Sequence, residues 1–320
     1  MRLWLRLDMP PEEATSLRER HPEIDFVGGG EEDVPDDLDG VEAIFTRQPV
    51  PDETVRRMGG LRWVHLNHGG AAGYLTPAIM ERSIDVTTST GTAAVPFAEF
   101  AMACILTLAN RLPACWQAQQ EQRWDESLTP QEIGGKTLLV IGLGAVGSEL
   151  ARKAKAFDMR VAAIKRHVGE VPSYVDELRA PDALLDLLAR ADYVVLCLPS
   201  VEKDVMGERE LTAMKPGSYL INMTGRQSIP DEAALVRALT DGPIAGAVLN
   251  TFAGGGRELA ANSPLWRLPN VVITPRTAGP SGPQWRRVIP LFEDNLARFL
   301  AGTPMRNVVD KVLGYARPGP

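Results

Sequence analysis

The chain is poor in cysteine, poor in aromatic residues and free of any long apolar run. Its three cysteines, Cys104, Cys115 and Cys197, have neither metal-ligand spacing nor an even count, which excludes a disulfide framework and a zinc module. Their apolar neighbours predict reduced, buried thiols in a cytoplasmic protein, and no metal is expected. No stretch reaches the roughly 18 consecutive apolar residues of a membrane-spanning helix. The opening Met1 to Asp8 alternates like a strand, so neither a signal peptide nor a membrane span is expected there. Basic blocks are missing as well. With 34 Lys and Arg against 41 Asp and Glu, the net charge is -7. Nucleic acid is therefore not expected as a partner, and any site for an anion has to be built locally. There is no solenoid repeat and no low-complexity tract.

What is present is alternation. The 320 residues are enough for two domains, and a 44% hydrophobic content is enough to give each a core. In the first region, Leu3 to Leu7, Val41 to Thr46, Trp63 to Leu66 and Ile84 to Thr87 read as strands. Pro11 to Arg20, Asp52 to Met58 and Thr76 to Glu81 read as helices between them, the pattern of a parallel sheet with helical crossovers. Gly28 to Gly30 reads as a surface loop. Val95 to Trp124 is predicted to form a long helix bridging two domains, kinked or interrupted at Pro113.

A second alternating region begins at Lys136. Its strands are predicted at Thr137 to Ile141, Arg160 to Ile164, Tyr193 to Leu198, Ser218 to Asn222, Ala245 to Leu249 and Val271 to Thr274. Helices fall at Val146 to Phe157, Pro181 to Ala189, Glu208 to Met214 and Asp231 to Leu239, which makes a doubly wound nucleotide-binding domain. Gln284 to Leu300 reads as a helix returning to the first domain.

The first of these strands runs into Gly142-Leu-Gly144-Ala-Val-Gly147 and then a helix, the context that makes a Gly-x-Gly-x-x-Gly pattern specific for a dinucleotide. Gly142 serves the tight turn, Gly144 lets a pyrophosphate approach the backbone, and Gly147 allows close helix-strand packing. The amides at Ala145 and Val146 then face the anion. The next strand ends in Lys165-Arg166-His167 in place of a carboxylate. Cations there pair with a 2′-phosphate that a carboxylate would repel, so the expected cofactor is NADP(H), with NAD(H) second.

The order of motifs from Ala94 onward resembles the D-isomer-specific 2-hydroxyacid dehydrogenase family. The resemblance rests on Pro96-Phe-Ala-Glu99-Phe, Gly134-Gly-Lys136-Thr-Leu with the glycine fingerprint, and Ala191-Asp-Tyr-Val-Val-Leu-Cys-Leu-Pro199. It also rests on Leu211-Thr-Ala-Met-Lys-Pro-Gly217, Ser263-Pro-Leu-Trp266 and Pro269-Asn-Val-Val-Ile-Thr-Pro275. The match is weaker over the first 90 residues. The resemblance implies an α/β protein of two doubly wound parallel-sheet domains. Residues 1–95 with 285–320 would form a flavodoxin-like substrate domain, and residues 96–284 a Rossmann-type cofactor domain. It also implies a homodimer and hydride transfer to or from a small, anionic carbonyl or hydroxy acid.

The same resemblance places further residues. Leu198, Pro199, Met223, Thr224 and Gly279 fall at cofactor-binding positions, and Asn250 stands where the family usually has an aspartate near the nicotinamide carboxamide. Arg226, one place later than the family pattern, is the candidate substrate anchor. Where the family places its proton-donating histidine this chain has Arg276, and where it places the supporting glutamate the chain reads Ala253-Gly254-Gly255-Gly256, with Glu258 the nearest acid. A guanidinium with a pKa above about 12 is a poor proton shuttle, but it can stabilise a developing alkoxide. Three readings stand open: a reductase with Arg276 as electrostatic stabiliser, a different chemistry on an additional acidic group, or a dinucleotide-binding regulatory protein with little or no turnover. His68 is a candidate replacement acid, titrating near neutrality. Gly69, Gly70 and Ala71 offer backbone amides to an anion, Tyr74 is a second possible proton donor, and Trp285 is a candidate pocket wall. Trp63 and Trp266 read as packing residues, and His21 as structural or neutral.

Overall fold

The computed structural model describes residues 1–199, 204–224, 228–250, 259–275, 277–279 and 284–316. The chain divides into two units, Met1–Ala93 with Ser281–Pro320, and Ala94–Pro280.

The first unit opens with β1 (Arg2–Arg6), α1 (Pro11–Arg20), β2 (Asp25–Val27), β3 (Val41–Thr46), α2 (Asp52–Arg57), β4 (Trp63–Leu66), α3 (Pro77–Glu81) and β5 (Asp85–Thr88). The strands form one parallel sheet in the order β2-β1-β3-β4-β5, the flavodoxin-like winding. Both faces are covered, which is why β3 and β4 are mostly apolar, with Glu42, Thr46 and His65 the exceptions. Trp4, Ile44, Val64 and Val86 pack on one face against Val55 of α2 and Ile79 of α3. Leu3, Leu5, Phe45 and Trp63 pack on the other against Leu17 of α1. The short strand β2 was not anticipated, because three residues are too few to show a period.

The second unit contains α4 (Ala94–Ala109), α5 (Leu112–Gln120), β6 (Thr137–Ile141), α6 (Ala145–Lys155), β7 (Arg160–Ile164), β8 (Glu177–Arg179), α7 (Leu184–Leu188), β9 (Tyr193–Leu196), α8 (Glu208–Thr212), β10 (Ser218–Asn222), α9 (Glu232–Thr240), β11 (Ile244–Leu249) and β12 (Val271–Ile273). Its parallel sheet runs β12-β11-β10-β9-β6-β7-β8, the Rossmann order with an added outer strand. The sheet has seven strands where six were expected, because β8 is a three-residue edge that pairs only with β7. Along β6, Leu138 and Val140 face α4 and α6, while Leu139 and Ile141 face α7, α8 and α9.

The long helix is two helices. Arg111 takes a left-handed conformation (φ 55°) and Pro113, lacking an N–H, sits in the first turn of α5. The two axes bend by 63°, and α5 stops at Gln120, short of the predicted Trp124. Among the described residues no single helix is long and apolar enough to cross a membrane.

The chain then returns to the first unit as α10 (Trp285–Ala301), followed by a small antiparallel hairpin, β13 (Val309–Asp310) and β14 (Tyr315–Ala316). Phe292 and Leu296 of α10 complete the second face of the five-stranded sheet, and Phe292 stacks on Phe45 at 4.2 Å. Two side-chain expectations are corrected. Cys115 is exposed while Cys104 is buried, because Cys115 lies on the outer face of α5. Trp266 is 51% exposed rather than packed, its indole donating to Ala260 O at 3.0 Å. Trp63 is fully buried as expected, and Trp285 is half-buried beside Val288 and Phe292.

Candidate functional site

In the second unit the winding reverses between β6 and β9, and the glycine turn lies at that switch point. The Cys197 amide donates to Ile141 O at 2.8 Å and the Gly142 amide to Ile164 O at 3.0 Å, so the turn is held by both neighbouring strands. Gly142 has φ +103°, and a Cβ on it would fall 2.6 Å from Cys197 O. Gly147 has no room for a Cβ either, since one would lie 2.2 Å from Gly142 O. Gly144 differs from both. Its backbone is extended, it caps α6 without a side-chain hydrogen bond, and a Cβ there would meet nothing within 4 Å. The glycine is not required by any protein neighbour, so the space above it is available to a ligand. The first intrahelical bond runs from Ser148 N to Gly144 O at 2.8 Å. The amides of Ala145, Val146 and Gly147 precede it and have no partner within the helix. Together with the positive end of α6 they form a cradle of the shape and sign that a pyrophosphate requires.

The loops after β9 and β10 are stitched together beside this cradle. Leu198 N donates to Thr224 Oγ1 at 3.1 Å, and Thr224 N donates to Asn222 Oδ1 at 2.9 Å. Met223 is buried, its amide on Leu196 O, and Pro199 is exposed at the rim. Asn250, at the end of β11, accepts at Oδ1 from Thr274 Oγ1 (3.0 Å) and from the Ala278 amide (3.3 Å). An amide N–H can only donate, so the Asn250 oxygen is fixed there and its NH₂ faces away. Neither Asn250 Nδ2 nor Asn222 Nδ2 has a partner among the described residues, although both side chains are fully buried. A buried donor left unpaired is costly, and these two lie at the carboxyl ends of the adjacent strands β10 and β11. Gly279 has a different reason for being glycine, since a Cβ on it would lie 2.3 Å from the Phe97 ring.

Lys165 and Arg166 lie at the carboxyl end of β7. The Lys165 amide continues the ladder to Arg179 O at 3.0 Å, Lys165 is half-buried, and Arg166 is exposed with a partner of its own.

In the first unit, β4 ends in the loop Asn67 to Leu75, with a single helical turn at Ala72–Tyr74. Gly69 and Gly70 are exposed and Ala71 is buried. His68 and Tyr74 rings lie 4.7 Å apart, and the Tyr74 hydroxyl donates to Arg47 O at 2.6 Å. Burial pushes the His68 pKa below the ordinary histidine value, the Arg47 guanidinium adds to that, and the peptide groups of Arg47 and Gly70 oppose it. The imidazole is therefore neutral at pH 7 rather than poised at neutrality. Burial raises the Tyr74 pKa, which keeps its phenol protonated. Arg47, at the end of β3, was missed in the sequence because nothing local marks it. The fold sets it beside the histidine.

Arg226 and Arg276 lie outside the described residues, as do Gly254 to Gly256 and Glu258. Asn222 was also missed. Its only sequence signal is that, like Asn250, it is a polar residue closing a strand that is otherwise apolar.

A model of the family described as D-isomer specific 2-hydroxyacid dehydrogenase, NAD binding domain, matches residues 102–278. A glyoxylate reductase of Korarchaeum cryptofilum is 29% identical over 299 residues, covering 88% of this chain and 86% of the relative. Among solved structures, a D-isomer specific 2-hydroxyacid dehydrogenase from Xanthobacter autotrophicus in complex with NADPH and MES superposes with TM-score 0.84 at 27% identity, covering 98% of this chain and 99% of that one. An NADPH-dependent glyoxylate/hydroxypyruvate reductase from Sinorhizobium meliloti in complex with NADP and sulfate gives TM-score 0.83 at 25% identity, with coverages of 98% and 99%.

Proposed function

The chain belongs to the D-isomer-specific 2-hydroxyacid dehydrogenase family of NAD(P)-dependent oxidoreductases, and from that premise we propose that it is an NADP(H)-dependent reductase of a small 2-keto acid. The observation that carries this reading is the glycine turn at the switch point, with open space above Gly144 and three helix-end amides beneath it. The bound cofactor supplies a hydride to the carbonyl carbon, or takes one from it in the reverse direction.

The second unit is the cofactor domain and the first the substrate domain. Gly142, Gly144, Ala145, Val146 and Gly147 hold the pyrophosphate, and Leu198, Pro199, Met223 and Thr224 wall the dinucleotide. Asn250 offers its NH₂ to the carboxamide. Lys165 and Arg166 pair with the 2′-phosphate, and the NADPH and NADP bound in the two solved relatives support that choice. Replacing both with alanine is expected to weaken NADPH binding by roughly tenfold to a hundredfold, with NADH binding changed by less than about threefold. Tryptophan fluorescence titration with each nucleotide reads this directly, and an equal loss for both would count against the 2′-phosphate assignment.

For the carboxylate, the backbone at Gly69, Gly70 and Ala71 in the first unit and the Arg226 side chain in the second are each assigned as anion-binding groups. Arg276 stabilises negative charge on the developing alkoxide without delivering a proton, and the alkoxide takes its proton from water. His68, held neutral by burial, has no imidazolium proton to deliver at pH 7; in its uncharged form it is assigned as the acceptor in hydroxyacid oxidation, a weaker base than a free histidine. Tyr74 shapes the pocket, since its hydroxyl hydrogen is already committed to Arg47 O. Trp285 is assigned to the wall. A homodimer is part of the same reading, and the exposed Trp124 (90%) and Trp116 (51%), on or just beyond α5, support it. The free thiols fit the reducing cytoplasm.

The test is NADPH absorbance with glyoxylate, hydroxypyruvate, pyruvate and an aromatic 2-keto acid. Oxidation with at least one is expected. Tight NADPH binding with no oxidation by any of them would sink the reading. In the same assay an Arg276→His variant should gain turnover on the best of these acids.

A further inference from the structure

The loop that carries Gly69, Gly70, Ala71, Ala72 and Gly73 has almost no side chains to fix it. Such a backbone is costly to order, yet amides bind an anion well only when they are already aimed. Something else has to supply the order.

The C-terminal segment of the first unit does so, from residues distant in sequence. Tyr315 of β14 pairs with Gly70 in an isolated antiparallel bridge. Asn307, in a left-handed conformation, donates Nδ2 to Thr88 O at 3.1 Å and to Thr90 O at 3.0 Å, across separations of 219 and 217 residues. Thr90 in turn donates Oγ1 to Gly69 O at 3.3 Å. Beyond the loop, the Lys311 ammonium donates to Ile79 O (2.7 Å), an end-of-helix carbonyl of α3, and to Arg82 O (3.0 Å) just after it, which also accepts from Ile84 N (2.9 Å). The loop is therefore held at its beginning through Gly69 and Gly70, and the helix that follows it is held at its far end.

The holding segment is itself fixed. Buried Asn295 of α10 bonds both the amide (2.7 Å) and the carbonyl (3.1 Å) of Arg306. The hairpin turn is closed by Gly314 N on Asp310 O, and Asp310 Oδ1 accepts from Val312 N and Leu313 N. Val312 at the tip is 92% exposed, so the tip adds no core. What the turn contributes is the Lys311 ammonium.

We infer that Lys311, on the β13–β14 hairpin, is a positioning residue for the substrate: it holds α3 and the preceding Gly69–Tyr74 loop in the arrangement that receives the carboxylate. The inference rests on the reading that this loop binds the carboxylate, and it adds a device that no local sequence feature announces.

The experiment compares wild type, Lys311→Met and Lys311→Arg by amide hydrogen exchange and by kinetics with glyoxylate and NADPH. For Lys311→Met, exchange across residues 67–76 is expected to rise, with the α10 amides and NADPH affinity unchanged. KM for glyoxylate should rise about tenfold with kcat within about twofold, because ordering the loop is then charged to substrate binding. Lys311→Arg should recover most of the loss, since a guanidinium reaches both carbonyls. Unchanged exchange in the loop, or a fall in kcat at constant KM, overturns the inference. If wild type reduces no keto acid, the functional reading fails while the exchange data still decide whether the hairpin orders the loop.

Discussion

Gly147→Ala is expected to cost the second unit about 3 kcal/mol and to weaken dinucleotide binding by at least about a hundredfold. The added Cβ would lie 2.2 Å from Gly142 O and 2.9 Å from Val140 Cγ1. Neither neighbour can yield cheaply. Val140 is in the middle of β6 within the core, and Gly142 O belongs to the turn that two strands hold. Relief therefore means moving the start of α6 off the sheet, and the amides of Ala145 and Val146 move with it. Gly144→Ala is the control. Its Cβ meets no protein atom within 4 Å and its φ is −90°, so the fold should keep its melting temperature. The methyl group occupies the space above the cradle, however, and NADPH affinity should fall by roughly tenfold or more. Thermal melts and fluorescence titrations separate the two effects. If Gly144→Ala bound NADPH like wild type, the pyrophosphate could not lie over this turn.

The contrast between those glycines also shows what was legible beforehand. The three glycines, the strand before them and the helix after them are local features, and each appears in the fold where the pattern put it. The same holds for β3, β4, β7 and β10, which are mostly apolar because helices cover both faces of each sheet. Local reading failed where the cause was distant. The edge strand β8 is too short to have a period and exists because β7 offers it a free edge. The helix break at Arg111 was half legible: Pro113 announced it, but the left-handed turn placed it two residues earlier. Arg47 and Asn307 carry no motif. They matter because parallel strands bring their carboxyl ends together and because α10 returns the chain to the first sheet. His65 and His68 make the same point at close range. His68 drew attention by lying among glycines, while His65, three residues earlier on β4, passed as a strand residue although the fold gives it the larger consequence.

That consequence is acid lability. His65 is fully buried among Phe45, Trp63 and Phe292, with ring centroids 5.1, 5.9 and 5.4 Å away. Its Nδ1 lies 2.7 Å from Thr87 Oγ1 and its Nε2 3.0 Å from Ser89 Oγ. The Trp63 indole donates to the same Thr87 oxygen at 2.8 Å. Thr87 thus accepts from Trp63 and keeps its own hydrogen for Nδ1 of a neutral imidazole, whose Nε2–H donates to Ser89. An imidazolium would need an acceptor at both nitrogens and would leave the Thr87 hydrogen without a place. Burial, with His68 as a nearby second cation, pushes the His65 pKa down to about 3. In the unfolded chain it is an ordinary histidine near 6.5. Between those values the unfolded state takes up a proton that the folded state refuses. Stability from this group is therefore complete above pH 6.5 and is lost as the pH falls, by about 1.4 kcal/mol per unit, approaching about 5 kcal/mol near pH 3. His68 adds to the slope in the same direction, since its pKa is also lowered. A His65→Phe variant should start less stable at pH 7.5, because Thr87 and Ser89 lose their ring partner. Its unfolding free energy should then fall less steeply than that of wild type between pH 6.5 and 5, by about 1 kcal/mol per unit. Denaturant titrations at four pH values measure both slopes. Parallel lines for the two proteins would mean that His65 is protonated in the fold, and that the Trp63–Thr87–His65–Ser89 chain does not hold it neutral.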